Sequence, residues 1–362
     1  MSARLVPAVA TRTLVTTSGH HPVTHMSLLA RRRAAAYSPW TEPTFADSTA
    51  GDLVDGEDLV VRRAAVQALG PFNGTIVVAD PQNGRLLTVV NQKLADKGGF
   101  QPCSTIKLVA SLAGLNEGVI DSNTLLRVGT GRRSMTLTEA IAHSNNPFFY
   151  GVGSKLGFEK IEQYAKLFGL GEKATDRPEE QAGTLPEEGP SEIGMMTVFG
   201  TGIYLTPYQL ASLVSAIANG GTLYTLQHPK SEEDIAQYVP KVRRQLDIQQ
   251  WIPMIKPGMM GAVEFGTARR ADFDPNDPIF GKTGTCTDTR SPTHLGWFGS
   301  FNEVGSRKIV VVVLLTGGRP VSGPVASGVA GAVYKALAEE NYFGKMPGAS
   351  PLALISNPAC CR

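Results

Sequence analysis

The seven residues Ile309-Val310-Val311-Val312-Val313-Leu314-Leu315 are the most apolar run in the chain and constrain its fold more than any other stretch. A bilayer-spanning helix needs about 20 apolar residues, so this run is far too short to cross a membrane. Its β-branched content reads instead as a buried strand. A buried strand needs neighbours, and four other segments have the right chemistry. Thr75-Ile76-Val77-Val78-Ala79-Asp80, the turn Pro81-Gln82-Asn83-Gly84 and Arg85-Leu86-Leu87-Thr88-Val89-Val90 predict a β-hairpin. Residues 279–286 and 294–301 predict two further strands beside the one at 308–315.

Between these groups the pattern is helical. A helix is expected to open near Ser104 and stop at Asn116 to Gly118. Thr136-Leu137-Thr138-Glu139 is a capping box, and its helix should end at Ser144-Asn145-Asn146-Pro147, since proline disfavours helical geometry in the residue before it. Phe158 to Phe168 has helical spacing and stops at Gly169, and residues 171–192 read as a surface excursion. Thr206-Pro207-Tyr208-Gln209 caps a helix that runs to Ala218, and Ser322-Gly323-Pro324 caps a closing helix through about Glu339. The expected fold is therefore α+β: an antiparallel five-stranded sheet drawn from both chain ends and flanked by helices, with an all-α subdomain inserted between. The cleft should lie where the two parts meet.

Composition excludes several classes. The 362 residues are 42% hydrophobic with a formal charge of +2, which gives no reason to expect nucleic acid as a partner. Leu5 to Val15 is broken by Pro7, Thr11, Arg12 and Thr13, so no signal peptide or membrane anchor is visible. Four cysteines are too few for a disulfide scaffold and show no metal spacing. His20, His21, His25 and Arg31-Arg32-Arg33 fall in residues 1–67, which read as an irregular arm ending in a short helix around Leu59 to Leu69. No metal and no cofactor is expected.

Three short motifs carry chemistry. They are Ser104-Thr105-Ile106-Lys107 at a helix start, Ser144-Asn145-Asn146 in a loop, and Lys282-Thr283-Gly284 on a strand. Residues three apart share a helix face, so the Ser104 hydroxyl and the Lys107 amine can meet. Serine is a poor nucleophile until a base takes its proton, and lysine is a base only when neutral. Burial and like-charge repulsion from Lys282 would both favour the neutral amine. Ser144 is placed to relay a proton to a leaving amine, and the Asn146 amide to hold a substrate backbone. His143 adjoins Ser144 but should end a helix, which makes its role structural.

In this order and these settings, the motifs resemble the penicillin-binding protein family, specifically the transpeptidase domain shared with serine β-lactamases. The resemblance covers roughly Phe72 to Tyr342 and includes the hairpin Val77 to Arg85, Tyr204 to Leu210, Val263 to Ala268 and Gly296-Trp297-Phe298. It divides the chain into the arm 1–67, a transpeptidase domain 68–345 and a tail 346–362 that holds Cys360 and Cys361. It implies a D,D-transpeptidase that acts on D-Ala-D-Ala stem peptides of peptidoglycan through a serine acyl-enzyme, with β-lactams as covalent ligands. D,D-carboxypeptidase, β-lactamase and β-lactam-sensing activities remain alternatives. Catalytic roles fall to Ser104, Lys107, Ser144 and Lys282. Substrate binding falls to Asn146, Thr283, Gly284 and Thr285, with the backbone N–H groups of Ser104 and Thr285 as the oxyanion hole. The implied location is extracytoplasmic, either the periplasm or the outer face of the cytoplasmic membrane.

If those two N–H groups converge on one oxyanion, their neighbours Cys103 and Cys286 are also close. Cysteines at these places resemble the disulfide of the carbapenemase group of class A β-lactamases. The alternative is two small buried thiols. Arg177-Pro178-Glu179 superficially resembles a β-lactamase deacylation loop, but the Leu-Asn that should follow is missing, so Glu179 and Glu180 are expected to be structural or solvated.

Overall fold

The computed structural model describes residues 39–121, 123–127, 134–272 and 274–344. His20, His21, His25, the 31–33 arginine run, Cys360 and Cys361 lie outside the described residues, as does the whole 346–362 tail.

In chain order the elements are α1 (Leu59–Leu69), β1 (Gly74–Ala79), β2 (Leu86–Val90), α2 (Gln92–Ala95), a 3-10 turn (Cys103–Ile106) that continues into α3 (Lys107–Asn116), β3 (Leu126–Arg127), β4 (Ser134–Met135), α4 (Leu137–Ala142), α5 (Asn146–Leu167), α6 (Gly194–Phe199), α7 (Pro207–Asn219), β5 (Thr222–Thr225), α8 (Glu232–Ala236), β6 (Lys241–Gln245), α9 (Ile252–Glu264), β7 (Ile279–Thr287), β8 (His294–Asn302), β9 (Val310–Gly317) and α10 (Gly323–Glu339). The main sheet is five-stranded in the order β2-β1-β9-β8-β7 and antiparallel throughout. Chain-end strands meet at its centre, where Val77 on β1 pairs Val312 on β9.

The apolar run of β9 is buried at every position. Its alternate residues serve two cores, as a two-residue period requires. Val310, Val312 and Leu314 face the core shared with α3, α5 and α7, while Val311, Val313 and Leu315 face the layer formed by α1 and α10. Fully burying each such side chain contributes about 1.5–3 kcal/mol. β9 is thus the seam between the two halves of the core.

Both expected capping boxes form, Thr136 with Glu139 on α4 and Thr206 with Gln209 on α7. Ser322 stands at the N-cap position of α10 but makes no side-chain capping bond. The chain after Ser144 departs from expectation. Pro147 does not close one helix so much as open the next. The Asn145 side chain accepts the Phe148 N–H as N-cap of α5, and proline in the first turn lacks only an N–H that would go unpaired there. Gly157, at φ +76°, interrupts α5, so only its second half coincides with the expected Phe158 to Phe168 helix. Elements α6, α8, α9, β5 and β6 carry no strong sequence signal.

Residues 40–57 have little regular structure yet are anchored. The Asp52 carboxylate accepts from Asn91 N and Gln92 N and pairs with Arg62 at 2.6 Å. Buried Glu57 accepts from Thr88 Oγ1 at 2.6 Å and Val89 N at 2.9 Å, which ties the segment to β2.

Candidate active site

The three motifs converge. Ser104 lies on the 3-10 turn and Lys107 is the first residue of α3, so the i, i+3 pair is nearly eclipsed and the Lys107 Nζ sits 3.0 Å from Ser104 Oγ. At the junction of α4 and α5, Lys107 Nζ meets the Ser144 carbonyl oxygen at 2.8 Å and Ser144 Oγ at 3.1 Å in the loop, and Asn146 Oδ1 at 2.6 Å at the start of α5. Ser144 reaches it with both oxygens because its backbone is left-handed, at φ +53°. Such a conformation costs a non-glycine residue on the order of 1–3 kcal/mol and is characteristically held at working sites.

The proton count at Lys107 is informative. Two of its neighbours, the Ser144 carbonyl and Asn146 Oδ1, can only accept. A neutral amine has two N–H bonds for those two acceptors and one lone pair left for a serine hydroxyl. An ammonium would have no lone pair to offer. Burial pushes the Lys107 amine down first and the Lys282 charge second, to about 6. The expected like-charge effect is present, but desolvation is the larger cause. Lys282 itself is fully enclosed, donates to the Thr283 carbonyl oxygen at 2.9 Å and is pushed down by burial to about 7. Its amine is interior, and its charge is the second cause of the lowered Lys107 pKa.

β7 is an edge strand, and its pleat separates two sets of residues. A side chain at Gly284 would meet Pro102 O, Cys103 Cβ and Thr105 Cγ2 within 3.0–3.2 Å, so anything larger than glycine would make the strand or the Ser104 turn give by a few tenths of an ångström. Thr285 faces α10 and accepts the Gly323 N–H at 2.7 Å. The Cys103–Cys286 disulfide is formed, with Cα atoms 5.5 Å apart. It joins the residue before Ser104 to the residue after Thr285. Cys103 is also left-handed, at φ +51°.

Two contributors lie outside the three motifs. The Val198 carbonyl of α6 accepts from Ser104 Oγ at 3.3 Å. Thr267, just past α9, lies 2.6 Å from Thr283 Oγ1. Gly266 beside it was the available clue, because a Cβ there would strike the Ala142 carbonyl oxygen at 2.1 Å. The residues expected to be structural are so placed. His143 caps the C-terminus of α4 with its ring against Phe265. Glu180 is buried, accepting from Ala174 N, Thr175 N, Thr175 Oγ1 and Thr206 Oγ1, and Glu179 is exposed.

Comparison with known proteins places this arrangement. The family model for the penicillin binding protein transpeptidase domain matches residues 74–339. Stage V sporulation protein D of Bacillus subtilis is 30% identical over 268 residues, 62% of this chain and 41% of that protein. Peptidoglycan D,D-transpeptidase PbpA of Mycobacterium tuberculosis is 22% identical over 339 residues, 76% of this chain and 68% of that protein. This chain therefore spans less than half the length of the first relative. The apo transpeptidase domain of Burkholderia pseudomallei penicillin-binding protein 3 shares the fold, with a TM-score of 0.67 at 22% identity over 80% of this chain and 96% of that one. With its family model covering both sheet halves and all three motifs, the chain belongs to the penicillin-binding protein transpeptidase domain family.

Proposed function

We propose that this domain, taken as residues 68–345 with the anchored segment before it, is a serine D,D-transpeptidase of peptidoglycan. Ser104 Oγ attacks the carbonyl carbon of the penultimate D-Ala while its proton passes to the Lys107 amine. Ser144, bonded to the same amine, relays a proton to the departing D-Ala nitrogen. An amine from a neighbouring stem peptide then attacks the ester carbonyl and frees Ser104. The N–H groups of Ser104 and Thr285 receive the oxyanion, each such donor being worth on the order of 3 kcal/mol. Thr283 and Thr285 hydroxyls bind the terminal carboxylate, Gly284 gives the substrate close approach to the strand, and Asn146 turns its amide nitrogen to the substrate backbone.

The observation that carries this reading is the Lys107 amine, enclosed between two serine hydroxyls with its charge suppressed. The name of the mycobacterial relative supports the reaction class. The oxidised Cys103–Cys286 pair supports action on the outer side of the cytoplasmic membrane, in the periplasm or at the membrane's outer face, since such bonds persist in oxidising compartments. Glu180 has its oxygens taken up by four donors and Glu179 is exposed, so neither is set to activate a deacylating water in the site, which favours transpeptidase over β-lactamase turnover.

Incubation with a labelled penicillin, followed by intact-mass measurement over time, tests the reading. A lasting adduct on Ser104 is expected. Rapid return to the unmodified mass would assign a β-lactamase instead, and a folded protein that forms no adduct would sink both.

The same base gives the reaction an expected acid limb. Lys107 must be neutral to accept the Ser104 proton, and burial, with the Lys282 charge, pushes its amine down to about 6. The neutral fraction rises with pH, so the acylation rate should climb about tenfold per unit below pH 6 and level off above it. A rate still climbing tenfold per unit at pH 9 would show that an unshifted lysine is the base.

A further inference from the structure

Thr267 belongs to none of the three motifs, yet it joins two of them. Its N–H donates to the Ala142 carbonyl oxygen at 3.0 Å, two residues before Ser144. Its Oγ1 lies 2.6 Å from Thr283 Oγ1 and 3.4 Å from that same Ala142 oxygen. Two hydroxyls 2.6 Å apart share one hydrogen bond, so one of their two protons is used between them. The other has only the long contact to a carbonyl that the Thr267 N–H already serves, and at 3.4 Å that contact is weak. The pair therefore holds one hydrogen-bond donor in reserve, between the Ser144 loop and β7.

Thr285 is prepared in the same sense by a different group. Ser322 does not cap α10; the Gly323 N–H donates to Thr285 Oγ1 at 2.7 Å instead. With its oxygen occupied as an acceptor, the half-buried Thr285 keeps its own proton to donate. An accepted bond also strengthens the hydroxyl as a donor. β7 thus presents two hydroxyl donors, each set from behind by a residue outside the motif.

We propose that Thr267 is a positioning residue that determines specificity for a substrate carboxylate, by fixing the shared proton of the Thr267–Thr283 pair. This deepens the transpeptidase reading and rests on it. Without the Thr267 hydroxyl, Thr283 loses the partner that orients its proton, and the remaining neighbours of the anion are unchanged.

The test compares wild type with Thr267→Val, which keeps the shape without the hydroxyl, and Thr267→Ser, which keeps the hydroxyl. Each is reacted with a penicillin and with the methyl ester of the same penicillin, and second-order acylation rates are read by intact mass after thermal melting has shown all three proteins folded. Hydrogen bonds to charged groups are the stronger class. The valine variant should accordingly lose about tenfold in rate towards the free acid, equivalent to about 1.4 kcal/mol. The ester rate should stay at its wild-type value, and the serine variant should recover the acid rate. An unchanged acid rate, an equal loss on acid and ester, or a serine variant as slow as valine would overturn the proposal. A wild type that reacts with neither ligand would overturn the acyl-enzyme reading beneath it.

Discussion

Replacing Lys107 with methionine should lower the rate of Ser104 acylation by about 10³-fold while leaving a folded protein. Methionine nearly matches the lysine stem in volume and fills irregular apolar space well, so α3 keeps its packing. What disappears is the lone pair 3.0 Å from Ser104 Oγ. A positioned general base contributes about 10²–10⁴-fold, and among the described residues no other base touches the Ser104 hydroxyl, whose remaining hydrogen-bond partner is the Val198 carbonyl. Lys107→Arg should be just as inactive, because a guanidinium does not deprotonate at any working pH. The measurement is the second-order rate of penicillin acylation by intact mass. A methionine variant within about threefold of wild type would remove Lys107 from the mechanism.

The second large effect concerns stability. The Cys103–Cys286 bond closes a loop with a sequence separation of 183 residues. Chain-entropy reasoning assigns such a link about 5 kcal/mol, and strain or residual unfolded structure usually reduces the measured value, so about 3–5 kcal/mol is expected. The double variant Cys103→Ser, Cys286→Ser should melt roughly 5–15 °C lower. It should also acylate more slowly, because the left-handed backbone at Cys103 loses the tether that holds it beside β7. Calorimetry with and without reductant separates the two states. If reductant lowers the melting temperature of wild type no more than that of the double variant, the bond contributes nothing.

Much of this fold was legible because its strands announce themselves locally. The hairpin around Pro81 to Gly84, the run at Ile309 to Leu315 and the two capping boxes depend on neighbours only a few residues away, and all appear in the structure. Ser104 and Lys107 were readable for the same reason, since one helical turn brings them together. What stayed hidden depends on contacts between distant segments. Val198 enters through a carbonyl, which any residue could supply. Thr267 matters only because Gly266 lets its loop touch Ala142. Pro147 was ambiguous in principle, because the same ring ends one helix and starts another, and only the Asn145 cap decides between them. The enclosure of Lys282 likewise arises where β7 packs against α9 and the Ser104 turn, which no local pattern encodes.

The pairing of β1 with β9 also has a consequence for the protein's life before it is active. As the chain is synthesised, Ser104, Ser144 and Lys282 all emerge before the central strand that holds the sheet together. A nascent chain ending short of Ile309 would carry all three motifs yet leave the facing edges of β1 and β8 unpaired, each an adhesive edge for another strand. Such long-range pairing makes folding slow and exposes apolar surface on the way. The order of strands along the chain therefore acts as a timing device. The site of the nucleophile is completed only once β9 has been made, and until then the edges of β1 and β8 stay open to other strands.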